Sequence, residues 1–186
     1  LIDSGELLND VITVTGSSSL TIRGDIELFP GRTGEGKIIE VLPLSFKQYI
    51  EVHGIRRYKL QYDEVLKSFK KYLETGGFPA GINELPIDDI LNGFIGEFIR
   101  FRKSLEISKE VFSSLISKMP SAMSYRAIAS ETSGYSYKVV QEYLEFFRNL
   151  YIIGVAYLKS DRIYYRKEKK FFFRDPLLLR LFASVS

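Results

Sequence analysis

The 186-residue chain has no cysteine, no tryptophan, one histidine and two methionines. Without thiols there is no disulfide, no thiolate nucleophile and no Cys-bound zinc, a composition that suits a cytoplasmic setting. The lone His53 excludes a multi-histidine metal site and an ordinary Ser-His-Asp triad. Beside Gly54, at the end of an expected helix, it reads as a cap on exposed carbonyls rather than as a ligand. No apolar run approaches the roughly 18 residues that a membrane-spanning helix needs, so no membrane partner is expected. Residues 1–10 carry neither the basic nor the apolar part of a signal peptide. The chain lacks an initiating Met and opens on what reads as a helix tail, which leads us to expect a fragment. Charge of one sign is scarce too: 26 Lys and Arg face 23 Asp and Glu, and a net +3 argues for no partner until the charges are located.

What is present is an ordinary globular composition, 45% hydrophobic and 26% charged, arranged in recognisable elements. Asp10–Thr15 and Lys37–Leu42 are short runs rich in β-branched residues and predict strands; a Gly-rich stretch, 24–36, separates them. Ser45 predicts an N-cap for a helix over Phe46–Val52, stopped by Gly54. A second helix is expected over Asp63–Glu74, with an apolar stripe of Val65, Leu66, Phe69, Tyr72 and Leu73. Gly76-Gly77-Phe78-Pro79 ends it. The next starts near Pro86, with Asp88 and Asp89 in its first turn, where carboxylates favour the helix dipole, and carries Phe94, Ile95, Phe98, Ile99 and Phe101. Helices over 108–119, 124–132 and 136–149 follow, then two extended runs, 151–158 and 162–165, around a turn at 159–161. Three helices and a β-hairpin, in that order, predict a winged helix. The fold class expected is α+β, mainly helical.

Two apparent catalytic motifs dissolve on inspection. Gly31-Arg-Thr-Gly-Glu-Gly-Lys37 spells GxxxxGK, but Ile38 follows where a phosphate loop needs Ser or Thr for magnesium, and an extended run follows where it needs a helix. It reads as a loop. Gly16-Ser-Ser-Ser-Leu20 lacks the second Gly of a nucleophile elbow and has no nearby His.

Five segments occur in order: Val14–Leu20, Pro30-Gly31-Arg32, Leu42-Pro43-Leu44-Ser45-Phe46, Tyr72-Leu-Glu-Thr-Gly-Gly-Phe-Pro79 and Lys170-Phe-Phe-Phe-Arg-Asp175. Together they resemble the archaeal and bacterial AAA-type ATPases in which an ATPase core is followed by a helical lid, a winged helix and a further carboxy-terminal domain. The resemblance implies four parts: a residual core segment (1–44), a lid (45–104), a winged helix (105–166) and the start of another domain (167–186). It implies ATP with magnesium as cofactor of the full-length protein and none for this portion alone. By the resemblance, Ser17 and Ser18 stand at the sensor position that helps orient the attacking water. Arg32 would sense or stabilise the γ-phosphate, and Phe78 and Pro79 match a lid motif in which the Pro packs on adenine. Residues 15–19 also fit a plain turn, and Arg32 a solvated loop. The Walker motifs of that family are not found, so hydrolysis would belong to a longer protein.

A winged helix reads double-stranded DNA, or serves as a clamp, a protein-binding module or a self-association surface. Its third helix would present Ser136, Tyr137, Lys138 and Gln141, although Glu142 and Glu145 farther along would repel phosphates. From Lys159 to Arg174 seven basic residues (Lys159, Arg162, Arg166, Lys167, Lys169, Lys170, Arg174) outnumber two acids, Asp161 and Glu168. Clustered cations release counterions from phosphates and give sequence-independent affinity. The function expected is a nucleotide-dependent switch whose winged helix engages DNA or a partner. The alternative is a non-enzymatic winged-helix regulator or interaction module. Asp175, before Pro176, reads as a cap rather than a metal ligand.

Overall fold

The computed structural model describes residues 39–55 and 62–184. The expected strand at 10–15, Ser17, Ser18, Arg32 and the GxxxxGK loop lie outside the described residues. Within them the chain is α+β, with eight helices and a two-stranded antiparallel sheet.

Helix α1 (Phe46–Val52) begins where Ser45 predicts. The Ser45 hydroxyl accepts from the Gln48 N–H (3.4 Å), and the Gln48 side chain accepts from the Ser45 N–H (2.9 Å), a reciprocal cap. At its other end His53 Nδ1 lies 2.8 Å from the Tyr49 carbonyl and Gly54 adopts φ +78°, so the histidine is indeed spent on helix termination. Helix α2 (Tyr62–Thr75) buries Tyr72 against Tyr49 and Ile50, with Val65 packed beside them. The rest of its expected stripe is a correction. Leu66, Phe69 and Leu73 remain 40–45% exposed, so the stripe is covered only in part among the described residues.

Residues 39–45 form no strand. Ile39 and Val41 are 81% and 91% exposed, and Pro43 cannot donate to a ladder; the run from Ile39 to Leu42 has no strand partner among the described residues.

After the short α3 (Pro79–Ile82), α4 (Asp88–Arg100) carries Phe98 into the larger core, while Ile99 faces out. Helix α5 (Leu105–Lys118) starts three residues earlier than expected. Ser104, not Ser108, is its cap: the Ser104 hydroxyl accepts from the Ile107 N–H (3.3 Å), whereas the Ser108 hydroxyl donates back to the Ser104 carbonyl (2.7 Å). Helices α6 (Tyr125–Ala129) and α7 (Tyr137–Asn149) are capped by Ser124 and Ser136. The hairpin β1 (Ile153–Lys159) and β2 (Ile163–Phe173) follows, and β2 continues past residue 166, where a boundary was expected. Helix α8 (Pro176–Ala183) closes the chain on Leu177, Leu178, Leu181 and Phe182, all buried.

The core sits where α4, α5, α7 and α8 meet. Phe112 lies stacked between Phe147 (centroids 3.9 Å apart) and Phe182 (4.3 Å), and Phe98 extends the stack to α4. Each such ring withdraws enough apolar surface to contribute about 2 kcal/mol. The terminal helix is therefore bound into the same core as the three-helix segment, and this positions the two candidate sites.

Candidate functional site

The first site is a buried junction. Helix α2 ends at Gly76: its N–H still donates to the Tyr72 carbonyl (2.8 Å) as in the helix, and its φ of +66° turns the chain away. Gly77 then approaches two other segments. Its N–H donates to Asp175 Oδ2 (2.7 Å), and its carbonyl accepts from the Leu44 N–H (2.9 Å). The Tyr72 hydroxyl donates to the Leu44 carbonyl (3.0 Å). Asp175 Oδ1 accepts from the Leu177 N–H (2.8 Å), so the same carboxylate caps α8. Arg180 on α8 donates to the carbonyl of Glu74. A Cβ on Gly77 would collide with the Leu44 carbonyl oxygen, so only glycine allows this approach. Asp175 is 1% exposed. Burial pushes its carboxyl above the usual range, and the amides of Gly77 and Leu177 pull it back.

Three segments widely separated in sequence thus meet at one point: residues 42–46, 72–79 and 170–175. Asp175 is a cap, as its position before Pro176 indicated, and it also reaches a residue 98 positions away that no local pattern reveals. Of the two lid residues named from the sequence, Pro79 is exposed at the first position of α3, whereas Phe78 is half-buried against the larger core.

The second site is the surface made by α7 and the hairpin. Ser136, capping α7 by accepting from the Val139 N–H (3.4 Å), is followed by Tyr137, Lys138 and Gln141 on the exposed face. Arg126 on α6 adds a cation that sequence reading did not single out; its guanidinium lies 5.3 Å from the centroid of the Tyr137 ring. Its only sequence signal was a basic residue two places after a serine cap. The acids expected to repel phosphates are paired, Glu142 with Lys103 and Glu145 with Arg148 (3.1 Å). Glu145 also accepts from the Tyr125 hydroxyl (3.4 Å); that hydroxyl is pushed up to about 12, by burial first and then by Glu145.

On the hairpin, Lys159, Arg162, Arg166, Lys167 and Lys170 are exposed, and among the described residues none of them is in an ion pair. Lys169 is different. It is 5% exposed, its backbone pairs with Met123 in both directions (3.0 and 3.1 Å), and its ammonium lies 4.1 Å from the Tyr125 ring centroid. Burial lowers its pKa, and Glu145 partly restores it. The reason is strand alternation: Lys169 and Phe171 point inward while Glu168, Lys170 and Phe172 point outward. Lys169 is therefore removed from the surface set; Arg174, also exposed, lies beyond β2 near the Tyr151 ring, and the five exposed hairpin cations stand against Asp161 and Glu168.

No family model matches the chain, and no solved structure does. A Haemophilus influenzae protein described only as uncharacterized is 25% identical over 181 residues, covering 84% of this chain and 44% of that protein. The chain thus spans less than half the length of this relative. Among the described residues no helix is long and apolar enough to cross a membrane.

Proposed function

We propose that this chain is the lid and winged-helix portion of a nucleotide-switched AAA-type ATPase, and that its winged helix binds double-stranded DNA. The observation that carries the reading is the junction, where the segments on which the resemblance rests close on one another through Gly77 and Asp175. A shift of the loop at Phe78 and Pro79 would pull on Asp175, two residues beyond the end of β2, so lid position and hairpin position are mechanically linked. Support for the winged helix comes from the order α5, α6, α7, β1, β2 and from Met123, which pairs with the far edge of β2 at Lys169.

ATP and magnesium would act in a longer protein. Exposed Pro79 fits a packing role against a base. Phe78 fits it less well, since its ring belongs to the core. Bound ATP would supply the γ-phosphate that distinguishes two packings of lid and core; this chain's own contribution is to carry that difference through Gly77 and Asp175 to β2.

Titration of a labelled duplex at low and moderate salt tests the DNA part. With about five phosphate contacts, the log–log salt slope should be about −4.5. No binding at low salt would remove it. In the full-length protein, Arg32→Ala should impair hydrolysis more than nucleotide binding, and unchanged turnover would count against the switch.

A second reading, a protein-interaction or self-association module, is favoured by one observation, the exposed Leu66, Phe69 and Leu73 on α2. Light scattering of the chain and of Phe69→Lys separates the two: a dimer lost in the variant supports this reading.

A further inference from the structure

We propose that the tip of the β1–β2 hairpin is a stacking site for unpaired nucleic-acid bases, so that the wing prefers a single strand to an intact duplex. The inference rests on the reading that this surface binds nucleic acid and goes beyond its duplex form: duplex binding through the cations remains, and a single strand binds more tightly.

The tip is built unlike the rest of the hairpin. Tyr157 pairs with Lys169 and the next residue, Leu158, pairs with Tyr164, so Tyr165–Glu168 have no residue opposite them. This four-residue excess is exposed throughout. Tyr165 is 63% exposed, and Leu158 and Ile163 beside it are 55% and 43% exposed. The Tyr165 ring is steadied edge-on against Tyr157, with centroids 5.1 Å apart. Tyr164 is held as well: its hydroxyl donates to Asp161 Oδ1 (2.9 Å), and the Arg162 guanidinium lies 5.1 Å from its ring centroid. Within six residues the chain therefore places Arg162, Tyr164, Tyr165, Arg166 and Lys167, aromatic rings between cations.

Duplex DNA offers phosphates and groove edges, whereas its base faces are stacked on one another. Cations serve either form of nucleic acid. A steadied aromatic ring with its surface in water serves only bases that have left the stack, where a ring and a base each cover apolar area and the flanking cations hold the backbone. The bulge explains why the ring is free: alternation and pairing resume only at Lys169, so residues 165–168 are not tied to a neighbouring strand. Exposed Glu168 follows Lys167 at the root of the bulge, so the basic run keeps one acid at each end, Asp161 and Glu168.

The test is fluorescence anisotropy at low salt with the whole chain, a short mixed-sequence labelled single strand and its blunt duplex. Four proteins are compared: the natural chain, Tyr165→Leu, Tyr165→Phe and the double variant Arg166→Ala/Lys167→Ala. We expect the single strand to bind at least about five-fold tighter than the duplex, and Tyr165→Leu to weaken it about ten-fold. On the duplex that variant should cost less than about two-fold, and Tyr165→Phe, which keeps the ring, should bind like the natural chain. The double cation variant should weaken both ligands and flatten the salt slope by between one and two. Thermal melts check that the variants fold. Duplex binding as tight as single-strand binding, with Tyr165→Leu without effect, overturns the proposal and leaves duplex binding standing. Failure of both nucleic acids to bind at low salt overturns the proposal and the DNA reading together. Binding to phosphatidylcholine vesicles containing one-third phosphatidylserine, without single-strand binding, overturns it in favour of a lipid surface.

Discussion

Strand β2 has two ends built on opposite rules. Toward its finish it is in register with β1, alternates cleanly, and delivers Phe171, Phe173 and Asp175 to the interior. Toward its start the register breaks, every residue from 165 to 168 is exposed, and the cations have no ion-pair partner among the described residues. At the junction each buried amide finds an acceptor and glycines bring backbones together. At the tip the groups are left for something else to pair. Closed hydrogen bonding marks what holds the fold, and charge without a partner marks what the fold holds out.

The comparison is broken most severely at the core. Phe112→Ala empties the centre of the ring stack and should cost about 4 kcal/mol, read as a lowered urea midpoint. Asp175→Ala leaves the amides of Gly77 and Leu177 without their acceptor and uncaps α8, for about 3 kcal/mol. Asp175→Asn keeps one acceptor and should lose less; equal losses would deny that both oxygens matter. A smaller effect is electrostatic. Glu131, after α6, is held below the usual carboxylate range, first by Lys118 and then by the Ser117 hydroxyl. A depressed folded pKa contributes stability above the unfolded value and loses it as pH falls through the folded one. The melting temperatures of the natural chain and Glu131→Gln should therefore differ near neutrality and converge in acid. The smallest effect sharpens the contrast: Arg166→Ala/Lys167→Ala should change stability by less than about 0.5 kcal/mol. A loss comparable with that of Asp175→Ala would mean that these cations hold the fold after all.

Much of the fold was legible because helix ends are local events. Ser45 and Gly54 bracket α1, Gly76 ends α2, and Ser136 starts α7, all within a few residues of the groups they satisfy. One start was placed three residues late: the helix expected from 108 begins at Leu105, after Ser104, whose N–H donates to the Tyr143 hydroxyl (2.9 Å), a partner 39 residues away. The stripe on α2 was visible as a pattern, but how much of it is covered depends on neighbours that no pattern names.

The candidate sites divide the same way. The count of hairpin cations was available from the sequence, and so was the exposed start of α7. That Lys169 turns inward was encoded in its two-residue spacing from Phe171, yet that spacing becomes informative only once the register at Tyr157 is known. By itself the sequence determined the caps at Ser45 and Asp175, the start of α7 at Ser136 and the turn glycines, because each is satisfied within a turn of chain. Only the tertiary structure decided that Leu44, Gly77 and Asp175 share one set of hydrogen bonds and that Tyr165 is left exposed against Tyr157. Those outcomes depend on which distant backbone supplies the partner, and that is settled by packing the apolar faces.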